Sequence, residues 1–158
     1  MTANDVRTGL LTAENPGRFQ VLPGQPLVIL DVAHNPHAAR ALAGGLKSLP
    51  RGGRTLAVFA MLSDKDVAGV IAVLKPLVAQ WFVAGLSGPR GGTAEALAEK
   101  LAAAGVTAVA CFADVEAALQ AARDVAGVDD KIIVFGSFYT VSEAMQAVQK
   151  LQTRPLKT

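Results

Sequence analysis

The sequence predicts an α/β fold: a three-layer sandwich in which a mostly parallel sheet of about six strands, one of them antiparallel, lies between layers of helices. Three observations carry this. Short apolar runs alternate with alanine-rich stretches of helical spacing. The apolar runs show no polar alternation, which is the pattern of strands covered on both faces. And the first two runs are joined by a turn too short for a crossover, which makes the first strand antiparallel at or near an edge.

The elements follow in order. Phe19–Leu22 and Leu27–Val32 are strands flanking Pro23-Gly24-Gln25-Pro26, a turn sequence. Pro36–Leu49 is a helix, with Asn35 as its N-cap and Pro36 at the first helical position. Leu56–Phe59 is a strand, and Asp66–Val78 the helix after it. Ser63-Asp64-Lys65-Asp66 has the spacing of a capping box. Trp81–Ala84 is a strand, followed by a helix over Thr93–Ala104. Val106–Phe112 is a strand and Asp114–Ala126 a helix, with Thr93 and Asp114 as N-caps. Ile132–Phe135 is the last strand. In the last helix, Val141–Leu151, the residues Val141, Ala144, Met145, Val148 and Leu151 line one face, and Thr140-Val141-Ser142-Glu143 again has capping-box spacing. Trp81 and Cys111 are expected in the core and His37 at the surface.

Composition bounds the function. A chain of 158 residues suits one domain, and 51% hydrophobic against 18% charged residues excludes disorder. A formal charge of +2 gives no reason to expect nucleic acid or an anionic membrane as partner. One cysteine excludes an internal disulfide and a cysteine zinc cluster, and fits a reducing cytoplasm. No apolar run approaches the roughly 18 residues of a membrane span, and the first residues lack the layout of a signal peptide. A cytoplasmic, soluble protein is expected.

Ligands of open parallel sheets bind beyond the carboxyl ends of the strands. There, Asp31 interrupts a buried apolar strand and is followed by His34-Asn35-Pro36. A buried carboxylate needs partners; a hydrogen-bonded Asp beside a capped helix is the plain reading, and the cluster with His34 argues for a site. In Phe135-Gly136-Ser137-Phe138-Tyr139-Thr140, the glycine permits close approach and Ser137 sits at a helix start suited to an anion, or simply caps it. Arg18 can meet an anion at the domain edge. Lys65 and Arg90 lie in loops after other strands, where capping and solvent are the simpler roles. There is no Gly-x-x-x-x-Gly-Lys-[Ser/Thr] phosphate loop, no Gly-x-Gly-x-x-Gly turn after the first parallel strand, no Gly-x-Ser-x-Gly elbow and no His-x-x-x-His metal pair.

Gly17-Arg18-Phe19-Gln20, Leu30-Asp31-Val32-Ala33-His34-Asn35-Pro36-His37, Met61-Leu62-Ser63-Asp64-Lys65-Asp66, Gly88-Pro89-Arg90 and Gly136-Ser137-Phe138-Tyr139-Thr140-Val141 together resemble, over about Val6 to Leu151, the C-terminal domain of bacterial bifunctional dihydrofolate synthase/folylpolyglutamate synthase, in the Mur ligase superfamily. The resemblance implies a Rossmann-like mixed sheet over residues 18–158, with residues 1–17 a linker or tail from an N-terminal ATPase domain that carries the phosphate loop. It implies ATP-dependent ligation of L-glutamate to dihydropteroate or to the glutamate tail of folates, with ATP and magnesium held mainly by that other domain, in a monomeric parent enzyme. Arg18 and Asp31 match nucleotide-contacting positions, and His34 and Ser137 match glutamate-binding ones, with His34 also placed to orient the amine or take its proton. On this reading the domain is inactive in isolation. The alternatives are the C-terminal domain of a peptidoglycan-precursor Mur ligase and a stand-alone, non-catalytic ligand-binding module.

Overall fold

The computed structural model describes residues 19–22, 26–49, 53–86 and 91–153, with side chains as far as residue 149. The linker expected over residues 1–17 lies outside the described residues. The elements are β1 (Gln20–Leu22), β2 (Leu27–Asp31), α1 (Pro36–Ser48), β3 (Thr55–Phe59), α2 (Val67–Leu74) running into a single 3-10 turn (Lys75–Leu77), β4 (Gln80–Ala84), α3 (Ala94–Ala103), β5 (Val109–Phe112), α4 (Val115–Val125), β6 (Lys131–Phe135) and α5 (Phe138–Thr153). The six strands form one sheet in the order β1-β2-β6-β3-β4-β5. Only the β1–β2 pair is antiparallel. The expected sandwich, with its one antiparallel edge strand, is what the chain adopts.

Burial explains the unbroken apolar runs. In β2, β3, β4 and β6 the first residue is half-buried and the next four are buried, because both faces are covered. α1, α2 and α3 pack on one face against Ile29, Ala57, Phe59, Trp81, Val83, Ile133 and Phe135. α4 and α5 pack on the other against Val28, Leu30, Leu56, Val58, Phe82, Ile132 and Val134. Each large side chain buried in this way contributes about 1.5–3 kcal/mol, against about 1 kcal/mol for a good cap, so the sheet core dominates stability. Phe59 and Phe135 are register partners, stacked with ring centroids 4.7 Å apart, and Trp81 meets both edge-on.

The split of helices between faces follows from strand order. From β2 to β5 the chain moves across the sheet in one direction, and right-handed crossovers put α1, α2 and α3 on the same face. From β5 it turns back past β4 and β3 to place β6 between β3 and β2, so α4 falls on the opposite face. β6 then leads into α5 on that face, while both neighbours, β2 and β3, lead into helices on the other. The connections therefore diverge on either side of β6, which opens a crevice at the carboxyl edge.

Side-chain caps start all five of the described α-helices. Asn35, Asp66, Thr93, Asp114 and Ser137 each accept from the amide three residues on. Both expected capping boxes are displaced by one turn. Asp66 is itself the cap of α2, rather than the partner of a capping Ser63. α5 begins at Phe138, and Ser137 takes the Thr140 amide, so Thr140 is inside the helix. Capping-box spacing recurs within overlapping polar runs, and the local pattern does not say which turn is used. Residues 106–108 are also not strand: β5 is a shorter strand, and Cys111 is exposed rather than in the core because β5 is the last strand of the sheet. Trp81 is buried and His37 exposed, as expected.

Candidate functional site

Three strand ends meet at the crevice: those of β2, β6 and β3. Asp31 and Phe135 are register partners, as are Phe59 and Phe135, so the segments carrying His34, Ser137 and Ala60 leave the sheet side by side.

Asp31 is 5% exposed and its carboxylate is held by backbone. Oδ1 accepts from the Ala33 amide at 2.8 Å and Oδ2 from the Phe19 amide at 3.1 Å. These two amide bonds are what let a carboxyl group sit at the end of a buried strand. They also fold the β2–α1 turn back on itself and hold the start of β1. Phe19 is the one non-glycine residue with positive φ (45°) among the described residues, a conformation that costs a bulky residue about 1–3 kcal/mol. Sequence reasoning missed this pairing, because nothing local says that residue 19 will sit opposite residue 31.

His34 is half-buried in the β2–α1 turn, and its Nδ1 lies 3.0 Å from the Val32 carbonyl. A carbonyl only accepts, so Nδ1 carries the hydrogen of this bond, and in a neutral ring Nε2 is the acceptor. Asn35 then starts α1 by accepting from Ala38 at 2.8 Å.

Gly136 has φ of 128°, and a Cβ there would run into the Ala60 carbonyl. The close approach that the glycine permits is thus made by the end of β3. Ser137 and Thr140 are buried. The Thr140 hydroxyl donates to Ala60 O at 2.7 Å, which commits its hydrogen. In the 2.8 Å contact between the two hydroxyls Ser137 is therefore the donor, while its Oγ accepts from the Thr140 amide at 3.0 Å. Ser137 thus caps α5 with its own hydrogen spent. The first-turn amides of Phe138 and Tyr139 have no acceptor within the helix, and the rings of these two residues are 65% and 64% exposed beside them.

A second depression lies beyond β4 and β5. It encloses about 690 Å³ and is lined by Leu86, Thr93, Glu95, Cys111, Asp114 and Glu143 among others. Glu143, expected as a capping-box partner, instead reaches across to the start of α4. Burial pushes its carboxyl above the usual range; the Val115 amide, which donates to it, pulls down, and the charge of Asp114 adds to the rise. Its Oε2 is buried with no hydrogen-bond partner. Because the folded-state value lies above the unfolded one, ionised Glu143 weakens the fold, and stability falls as pH rises from the ordinary value towards the raised one. Glu143→Gln keeps an acceptor for Val115 and removes the charge. It is expected to raise stability at pH 7, by less than about 1 kcal/mol because solvent screens a partly open site, with the gain vanishing near pH 4. Urea unfolding at the two pH values checks this.

Arg18 and Arg90 lie outside the described residues. Lys65 is half-buried in the β3–α2 turn, and its amide donates to Leu62 O. Among the described residues no three His, Cys, Asp or Glu side chains converge to hold a metal ion. No helix among them is long and apolar enough to cross a membrane.

The geometry agrees with comparison to known proteins. The dihydrofolate synthase/folylpolyglutamate synthase of Escherichia coli K12 is 47% identical over 148 residues, which is 94% of this chain and 34% of that protein. E. coli FolC in complex with DHPP and ADP superposes with a TM-score of 0.83 at 46% identity, covering 97% of this chain and 36% of the other. A bifunctional folylpolyglutamate synthase/dihydrofolate synthase with Mn, AMPPNP and L-glutamate bound gives 0.80 at 46% identity, covering 94% and 35%. The chain thus spans about a third of the length of these relatives. The family profile described as Mur ligase, glutamate ligase domain matches residues 17–138, and the chain belongs to that family.

Proposed function

We propose that this chain is the glutamate ligase domain of an ATP-dependent enzyme that adds L-glutamate to dihydropteroate and to the glutamate tails of folates. The observation that carries the reading is the placing of His34 and Ser137 at adjacent strand ends in a chain 47% identical to the E. coli enzyme. In this reading ATP phosphorylates the acceptor carboxylate, the glutamate amine attacks the acyl phosphate, and phosphate leaves. An N-terminal ATPase domain is the partner, with the phosphate loop and the magnesium that act with ATP. The enzyme is monomeric and cytoplasmic.

This domain's residues serve the second step. The α5 N-terminus takes the α-carboxylate of glutamate through the amides of Phe138 and Tyr139, where the helix end favours an anion. Ser137 supports this by capping that turn. Nε2 of His34 has a lone pair to orient the ammonium group or take its proton. Asp31 and Arg18 serve the nucleotide. Docking of the two domains keeps water from the acyl phosphate.

The test is ADP release by the enzyme containing this chain. It should require ATP, L-glutamate and either dihydropteroate or a folate. His34→Ala and Ser137→Ala should each raise the glutamate KM about 10- to 100-fold, the range for a hydrogen bond to a charged group, with the ATP KM little changed. No glutamate-dependent ADP release with either acceptor would reject the ligase reading. Nucleotide or glutamate affinity in the absence of turnover would point to a binding module.

A further inference from the structure

We propose that the rings of Phe138 and Tyr139 wall the glutamate site against water, so that the acyl phosphate passes to the amine of glutamate instead of being hydrolysed. This rests on the reading above, in which the first turn of α5 holds the glutamate carboxylate.

Among the described residues these are the only exposed large aromatic side chains, whereas Phe59, Trp81, Phe82 and Phe135 are buried. A ring left in water gives up the burial that makes it useful to a fold, and two in succession need a reason in their position. The inward side of the same turn is taken by Thr140 and Val141, both buried. The Thr140 hydroxyl donates to Ala60 O, its amide to Ser137 Oγ, and the Val141 amide to Ser137 O. The turn is therefore fixed to the end of β3, and neither ring has an inward place to occupy.

The reason lies in where the turn begins. Cα–Cβ bonds in a helix tilt towards its N-terminus, so the side chains of a first turn overhang the helix end rather than a preceding turn. For α5 that end is at the carboxyl edge, beside the β2–α1 turn that carries His34, since Asp31 and Phe135 are register partners. The link to the ligand is built into the chain. A carboxylate oxygen about 2.9 Å from an amide nitrogen lies no more than about 5.5 Å from the Cβ of the same residue. What the amides of Phe138 and Tyr139 hold, their rings border.

Water competes with the amine for the acyl phosphate. Its oxygen attacks the carbonyl carbon, the bond from that carbon to the phosphate oxygen breaks, and carboxylate, phosphate and a proton leave. ATP is then consumed with no amide formed. Ring faces beside the site displace that water.

The ratio of ADP released to amide formed reads this in the complete enzyme at saturating glutamate. Wild type should give equal amounts. Phe138→Ala and Tyr139→Ala should each release at least about twice as much ADP as amide, half of the acyl phosphate being lost to water. Phe138→Leu keeps apolar bulk and should stay near wild type. Met145→Ala is the control, because Met145 is exposed on the same face of α5 as Phe138 but two turns from the helix end. It should leave the ratio unchanged. Equal ADP and amide in both alanine variants would overturn the wall. So would a Met145→Ala ratio raised as far, since the outer face of α5 would then act as a whole.

Nitration of Tyr139, the one tyrosine of this chain, followed by mass spectrometry, gives a readout independent of turnover. With glutamate, acceptor and a non-hydrolysable ATP analogue present, it should slow about ten-fold relative to the ligand-free enzyme. Unchanged nitration would overturn the wall. Nitration equally slow without ligands would make the rings a fixed contact between domains and overturn it too. If wild type shows no glutamate-dependent ADP release, the ligase reading fails and the wall with it, whereas coupled turnover in wild type and both alanine variants removes the wall alone.

Discussion

Gly136→Ala is expected to cost roughly 3–5 kcal/mol, the range in which single substitutions are exceptional. Two penalties coincide there. The backbone sits at φ 128°, where an L-residue is strained, and the new methyl group would run into the Ala60 carbonyl. Neither can be relieved cheaply. Ala60 is tied to both sides of the crossing, since its amide donates to Phe135 O and its carbonyl accepts from Thr140. Moving β3 away from β6 would break these bonds and separate Phe59 from Phe135, stacked directly below. At about 2–4 °C per kcal/mol for a domain of this size, the melting temperature should fall by roughly ten degrees or more. Gly127→Ala is the control: a Cβ at Gly127 finds only ordinary contact with Asp130 at 3.6 Å, and it should behave nearly as wild type. If the two variants unfold at the same urea concentration, the β3–β6 crossing is looser than described. Because Gly136 leads into Ser137, a variant that still folds should also displace the α5 turn and, under the proposed function, weaken glutamate binding.

The order of elements was legible because it depends on local pattern. Continuous apolar runs in β2, β3, β4 and β6 report two covered faces, and Asn35-Pro36, Thr93 and Asp114 announce helix starts within three residues of the bond they make. Asp31 stood out for the same reason, as a carboxylate at the end of an apolar strand. Its partner did not, because Phe19 is 12 residues away and reaches it only through antiparallel register. Thr140 and Glu143 show the limit from the other side. Their spacing satisfies a capping box, but Gly136-Ser137 sets the helix start one turn earlier, which frees Thr140 to bond Ala60 and sends Glu143 to α4. Cys111 misled because an apolar run does not reveal that its strand lies at an edge.

A hydrogen-bonded cluster outside the site was invisible to local reasoning altogether, since its two halves are 76 residues apart. Asp130 is buried at the amino edge of the sheet, opposite the crevice. Its Oδ1 accepts from the Arg54 amide at 2.7 Å, and its Oδ2 from the Arg54 guanidinium at 3.0 Å and the Gly127 amide at 2.8 Å. Arg54 also reaches Val125 O at the end of α4. One carboxylate thus joins the residue that leads into β3, the last turn of α4 and the start of β6. The polar groups at the amino edge hold the strands in register, whereas those at the carboxyl edge are the ones the proposed function draws on.

Asp130→Ala should therefore cost roughly 2–3 kcal/mol without any contact with ligand, because two amides and a guanidinium lose a buried acceptor together. Asp130→Asn keeps one acceptor oxygen and should cost less. The pH dependence separates this role from simple packing. The Arg54 amide, then the Gly127 amide, hold the Asp130 carboxyl down from 3.8 to about 2 against the opposing effect of burial, with the Arg54 side chain adding to the lowering. A value lowered by folding means that the unfolded chain takes up the proton first. The stabilisation is complete above the unfolded value of 3.8 and is lost as pH falls towards about 2. The advantage of wild type over Asp130→Asn in urea unfolding should then be constant from pH 7 to about pH 5 and shrink steadily below pH 4. An advantage that stays constant down to pH 2 would mean that the carboxylate charge contributes nothing and that shape alone holds the amino edge together.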